Sequence, residues 1–223
     1  MKKIVAFAFI ALALSAVSCK KDKQPSEQGG DPGGTDKPVV NILQDEYELE
    51  VGDEFDMTAH LTVDAPEGVD QSVVWTSTDS EVAVVENNKI LAKKAGTATL
   101  KAAAVQGDEY DDCLVTVYDK PTGVVMVRDG NTLSEANPVE FEFSEEVTFE
   151  VKVLPATAKQ DNWCLEAADG DKISDYFEIS GMDTNSPKFK AIKEGTIRIN
   201  LCYGKGKTVA EYFEFWVSSA TGN

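Results

Sequence analysis

Phe55-Asp56-Met57-Thr58-Ala59-His60-Leu61-Thr62-Val63 alternates apolar and polar side chains over nine residues. Successive side chains of a strand point to opposite faces, so this pattern predicts one strand with a buried face and a wet face. Tyr47-Glu48-Leu49-Glu50-Val51 alternates in the same way. Turn-forming residues break the runs at Gly52-Asp53, Ala65-Pro66-Glu67-Gly68, Asn87-Asn88 and Gly107-Asp108. No stretch sustains helical periodicity. Short strands about ten residues apart predict an all-β protein built as a sandwich.

The second half repeats the first. Residues 89–97 (KILAKKAGT) align without gaps to residues 188–196 (KFKAIKEGT), an offset of 99. Phe55–Val63 matches Val147–Val153, and Trp75 matches Trp163 at an offset of 88. The two offsets differ by 11, which places eleven extra residues in the second copy within Asp169–Pro187. The chain therefore reads as two tandem sandwiches, residues 39–119 and 121–218, joined near Tyr118–Pro121. Trp75 and Trp163 are expected in the two cores, where an aromatic ring of that size contributes a few kcal/mol, so that loss of either should unfold its domain.

Five pieces of the first copy, in order, carry a family resemblance: Leu49-Glu50-Val51-Gly52, residues 73–79 (VVWTSTD), residues 82–85 (VAVV), residues 96–100 (GTATL) and Val115-Thr116-Val117. Together they resemble a group 2 bacterial immunoglobulin-like domain. The resemblance implies the immunoglobulin (Ig) sandwich fold and, in similar proteins, a spacer, adhesion or ligand-binding role. The second copy departs from the motif set outside the repeated pieces; its Ig-like character follows from the repeat and the strand pattern.

The first nineteen residues, MKKIVAFAFIALALSAVSC, pair a basic start (Lys2, Lys3) with a fourteen-residue apolar or small run, Ile4–Val17. That run is too short for a membrane-spanning helix, which needs about 20 residues, and has the form of a secretory signal. The small residues before Cys19 resemble a bacterial lipobox of the relaxed kind found in Bacteroidetes lipoproteins, with Ala16 where Leu is usual. The resemblance implies a signal peptide over 1–18, and diacylglycerol on the Cys19 sulfur with an acyl group on its amine. Two or more acyl chains make a stable membrane anchor. Residues 19–38 contain almost nothing that can be buried and predict a flexible tether reaching roughly 25 Å. The expected location is the outer membrane, lipid-anchored, with the cell-surface face favoured and the periplasmic face left open.

The formal charge of −18 repels nucleic acid, so no nucleic-acid partner is expected. His60 is the single histidine. It is expected to face outward on its strand with no nucleophile near it, so no enzyme activity, no catalytic residue, no cofactor and no metal site are expected. Asp108, Glu109, Asp111 and Asp112, and separately Asp169, Asp171 and Asp175, form acidic loops without the spacing of a calcium loop, and read as solvated turns. Cys113 alternates with Val115 and Val117 and is expected inside. Cys164 and Cys202 are expected to face outward. The immunoglobulin strand order makes their strands neighbours, so a disulfide can form if the register brings their Cα atoms within ~7 Å.

On the last strand, Phe213, Phe215 and Val217 match Cys113, Val115 and Val117 and should face in, leaving Tyr212 and Trp216 outside next to Arg198 and Asn200. Exposed aromatics beside hydrogen-bonding groups can stack a sugar ring; the same patch can instead contact the first domain or lie under the insertion. The expected function is a non-enzymatic surface lipoprotein presenting Ig-like domains for adhesion, for ligand binding or as a spacer. The alternative is a glycan-binding lipoprotein of a polysaccharide-uptake system. The expected partners are the membrane, through the anchor, and a glycan or surface protein.

Overall fold

The computed structural model describes residues 37–136 and 138–219. The signal segment, Cys19 and all but the last two residues of the 19–38 tether lie outside the described residues. The fold is all-β and Ig-like.

The first half holds nine strands: β1 Val39–Ile42, β2 Glu46–Glu50, β3 Glu54–Asp56, β4 Leu61–Asp64, β5 Val73–Ser77, β6 Ala83–Glu86, β7 Lys89–Ala92, β8 Gly96–Ala104 and β9 Tyr110–Tyr118. They form a four-stranded sheet in the order β2-β9-β8-β5, a three-stranded sheet β3-β7-β6 and the pair β1-β4. Strand β2 runs parallel to β9, whereas β8 pairs antiparallel with both β5 and β9. Asn87 and Asn88 join β6 to β7 in two residues, both at positive φ (51° and 59°). Such a turn matches the right-handed twist of its strands, and Asn tolerates the left-handed conformation.

The second half holds β10 Gly123–Arg128, β11 Asn131–Thr132, β12 Val139–Glu142, β13 Glu146–Thr148, β14 Glu150–Leu154, β15 Trp163–Ala167, β16 Phe177–Ser180, β17 Lys188–Ala191, β18 Gly195–Tyr203 and β19 Thr208–Ser218, with one short helix, α1 Ile173–Tyr176. Its sheets are β12-β19-β18-β15, β13-β17-β16 and β11-β10-β14. Strand for strand this is the order of the first half, with β11 added at one edge.

Each half closes around its own core. In the first, Ile42, Met57, Ile90, Leu100 and Val115 are fully buried among smaller side chains. In the second, Phe141, Phe149, Phe177, Phe189, Phe213 and Phe215 pack as one cluster with ring centroids 4.8 to 6.3 Å apart. Tilted and edge-on pairs of this kind add to the area term, because ring edges and faces carry opposite partial charge. No polar or charged residue is buried among the described residues.

The structure corrects the strand expected over Phe55–Val63. It is two strands in different sheets: β3 pairs with β7, and β4 pairs with β1. A tight turn separates them, with the amides of His60 and Leu61 both 2.9 Å from the Met57 carbonyl. Asp56 accepts from the Thr58 amide at 2.8 Å and starts the turn. Ala59 is therefore exposed, and His60 does not face solvent on a strand but packs half-buried against Phe55, with ring centroids 4.8 Å apart.

The tryptophan alignment is also corrected. Trp75 lies opposite Ala102, and 99 residues further on Leu165 lies opposite Leu201. Leu165 thus takes the place of Trp75, and Trp163 sits two residues earlier on the same face. The matching offset is 90, so the insertion is nine residues. The connection before β16 has nine residues (168–176, holding α1) against five (78–82) in the first half. The connection after β16 has seven (181–187) against two (87–88). A slip of two residues preserves the facing of every side chain, so the alternation could not detect it. Both tryptophans pack half-buried against the edge of their cores, and the centre of the second core is phenylalanine.

Candidate ligand-binding face

The outer face of the sheet β12-β19-β18-β15 carries the residues singled out from the sequence. On β19, Phe213, Phe215 and Val217 are buried, which turns Tyr212, Glu214 and Trp216 outward. Trp216 is 49% exposed and Tyr212 is 40% exposed. Trp216 lies between Thr196 on β18 and Glu140 on β12. Tyr212 lies opposite Asn200, and Glu214 opposite Arg198. Four residues of strand separate the two rings, about 13 Å at the usual rise. The face thus brings Tyr212, Asn200, Arg198 and Trp216 together, with Glu214 between the rings.

The polar groups are partly engaged with one another. The Tyr212 hydroxyl donates to the Glu135 carboxylate. That bond, then partial burial and the carboxylate charge, raise the Tyr212 pKa above its ordinary value. Arg198 is 3.8 Å from Glu214 and 3.9 Å from Asp169. Both contacts are long and exposed, so the guanidinium keeps free donors for a ligand. From the longer connection before β16, Asp169 meets the Arg198 side chain and the Ala168 amide donates to the Arg198 carbonyl at 2.9 Å, while Trp216 stays exposed.

Cys164 and Cys202 are Cα partners on β15 and β18. Both are free thiols. Cys164 is half-buried, but Cys202 is fully buried, which corrects the expectation of two exposed thiols. Cys202 is buried although the alternation of β18 turns it outward, and the β18–β19 ladder shifts register between Leu201 and Cys202. In the hairpin beyond it, Lys207 reaches back to Glu166 with its amine 2.6 Å from the carboxylate. Burial first, then the neighbouring Cys164, pushes the Cys202 thiol up to about 11. Cys113 is buried in the first core, and burial, then the nearby Asp112, Asp111 and Asp45, push its thiol up to about 12.

Neither acidic loop gathers into a cluster: among the described residues, no three His, Cys, Asp or Glu side chains converge as metal ligands. Asp111 instead accepts the Ile42 amide at 2.8 Å.

A feature absent from the sequence reading is the seam between the sandwiches. Glu48 on β2 meets Lys159 at 2.7 Å, and the Tyr118 hydroxyl donates to the same carboxylate at 3.2 Å. Lys205 lies 3.6 Å from Glu50 and 3.5 Å from Asp53. Asn162 donates to Glu50 at 3.4 Å, and the Asp119 amide donates to the Thr157 carbonyl at 3.1 Å. The bond to Lys159 holds Glu48 below the usual carboxylate range. Glu48 and Glu50 alternate with buried residues on β2, so the sequence marked them as a solvated face and offered no sign of a partner.

No curated protein matches the chain. Among solved structures, domains 4 and 5 of the S-layer protein SbsC are similar over 70% of this chain and 81% of that one, at 19% identity and a TM-score of 0.31. The D00-D0 domain of intimin is similar over 80% and 96%, at 14% identity and a TM-score of 0.35. Against domains 1–6 of the surface layer protein SbsC the match covers 83% of this chain but 28% of the other, at 16% identity and a TM-score of 0.33. In sequence, a bacterial Ig-like domain of group 2 is found at residues 38–114, on the first sandwich.

Proposed function

We propose that the chain is an exported, non-enzymatic lipoprotein of the outer membrane. Cys19 carries the lipid, residues 19–38 are the tether, and the sandwiches at 39–119 and 121–218 are held outward for adhesion, for ligand binding or as a spacer. The surface face of the membrane is the favoured location. The reading is supported most by one observation: neither core buries a polar or charged residue among those described, so ligand chemistry is left to the surfaces. The group 2 Ig-like domain agrees with such a role. Mass spectrometry of the N-terminal peptide of the mature protein tests the anchor; an unlipidated Cys19 overturns it. Protease shaving of intact cells tests the location, and survival of the protein counts against surface display.

A second reading is favoured by Tyr212 and Trp216, whose rings stand exposed beside Arg198 and Asn200. In it the face binds a glycan, with an aromatic ring covering the apolar side of a pyranose and the arginine and asparagine bonding its hydroxyls. Affinity electrophoresis of the intact protein and of Trp216→Ala across a glycan panel tests it. Retardation of the intact protein that Trp216→Ala abolishes supports this reading; absence of retardation on every glycan rejects it.

A further inference from the structure

Cys164 and Cys202 are directly opposite in the antiparallel ladder of β15 and β18. Opposed residues in such a ladder have Cα atoms about 4.5–5.5 Å apart, inside the range of about 4.4–6.8 Å that a disulfide spans. As opposed residues of one ladder, both side chains leave the same face of the sheet. Strand β15 is an edge strand, held in its sheet by β18 alone, and the nine-residue insertion follows it. Cys113, by contrast, is sealed in the other core.

We propose that Cys164 and Cys202 form a cross-strand disulfide in the exported protein, clipping the edge strand β15 to β18. The proposal rests on the export reading, because the oxidant it needs belongs to an oxidising compartment: a thiol–disulfide oxidoreductase or a low-molecular-weight disulfide. Cys164, the more accessible of the two, attacks as a thiolate on one sulfur of that oxidant. A mixed disulfide forms and one thiol leaves. The Cys202 thiol then gives up its proton and attacks the Cys164 sulfur, releasing the second thiol. Two protein thiols are oxidised and one external disulfide is reduced to two thiols.

Two arms test the proposal and separate it from the export reading. In the first, the purified full chain is equilibrated with mixtures of reduced and oxidised glutathione, quenched with acid and alkylated under denaturing conditions. Peptide mapping should find one linked peptide pair, Cys164 with Cys202, while Cys113 remains a thiol. Oxidation should raise the Tm of the wild-type second sandwich by on the order of 10 °C and leave Cys164→Ser and Cys202→Ser unchanged. Full alkylation of both cysteines in every mixture, or persistent glutathione adducts on Cys164 without closure, would overturn the proposed geometry. In the second arm, cells are quenched with acid before lysis. The linked pair should be present in the membrane fraction. A pair that closes in the purified chain but is reduced in cells overturns the disulfide as a feature of the exported protein, and N-terminal lipidation measured on the same sample shows whether export itself failed.

Discussion

Lys159 Nζ lies 2.7 Å from Glu48 Oε2, joining the two sandwiches across 111 residues of sequence. Both side chains are about half exposed (40% and 52%), so the pair itself contributes only ~0.2–1 kcal/mol after screening by solvent and salt. Its place in the seam gives it a second readout, the freedom of one sandwich relative to the other. Glu48 is held below its ordinary value of 4.5, first by the bond from Lys159. A carboxylate depressed in the folded state contributes stability that is present above the unfolded value and is lost as pH falls through the folded one. Seam contacts should therefore weaken below about pH 4.5. Small-angle scattering should show a broader distribution of inter-domain distances in acid, and Lys159→Ala should show it at neutral pH. An unchanged distribution in both would refute this role for the pair.

The second core stands on phenylalanine. Phe215 contacts Phe141, Phe149, Phe177, Phe189 and Phe213, and is fully buried. Phe215→Ala should cost about 3–5 kcal/mol, the usual range for a core aromatic. Trp163→Ala should cost less, since that ring is half-buried at the edge of the core and donates to Asn185 at 3.3 Å. Denaturant unfolding of the two variants should rank them in this order. Trp75, in the other sandwich, can report the first domain if Trp163 and Trp216 are replaced by Phe.

The two cores and the facing of β19 were legible because alternation reports facing directly, whereas the adjacency of β15 and β18 followed from the family's strand order. Phe213, Phe215 and Val217 are buried and Tyr212 and Trp216 exposed, as the period of two requires. Four things were not legible. The break at Met57–His60 turns on two amides sharing one carbonyl, which leaves the polarity pattern intact. The two-residue slip of Trp163 leaves every facing unchanged. The burial of Cys202 has no local signal, because the alternation of β18 turns that side chain outward. The seam was hidden for a related reason: a glutamate that meets a lysine of another domain looks the same in sequence as one that meets water.

Gly96 and Gly195 open the equivalent strands β8 and β18, both at positive φ (151° and 128°). A Cβ on Gly96 would come within 2.9 Å of the buried Val82 side chain, and one on Gly195 within 3.3 Å of Tyr176. The first is an overlap with a stiff β-branched side chain, the second a contact that a small shift relieves. Gly96→Ala should therefore destabilise by about 1–3 kcal/mol, from backbone strain and overpacking together, and Gly195→Ala by less. Val82→Ala in the Gly96→Ala background should recover the packing part and leave the strain. Equal losses for the two glycines would contradict this assignment.

The Trp216 ring is half exposed and is not part of the core, so its removal should be nearly silent for folding. Trp216→Ala should shift stability by no more than about 0.5 kcal/mol, the ordinary range for surface substitutions. Tyr212→Phe should be similar, since it removes one exposed hydrogen bond to Glu135. Thermal unfolding checks both, and only with this result can a loss of glycan retardation in Trp216→Ala be assigned to binding.

Cys113 is sealed between the sheets of the first sandwich, with 1% of its surface exposed and its thiol pushed up to about 12 by burial and by neighbouring carboxylates. Thiolate is the reactive form, so at pH 8 both access and ionisation oppose reaction. Native protein should resist alkylation at this position and react fully once denatured. Cys113→Ala should cost on the order of 1 kcal/mol for a small cavity. Cys113→Ser, nearly the same size, should cost as much or more, because it places a hydroxyl among Leu100, Val115 and their neighbours, where desolvation of an unpaired group costs about 1–3 kcal/mol. Rapid alkylation of the native protein at Cys113 would mean that the first sandwich opens on that timescale, and its measured rate would then give the free energy of that opening.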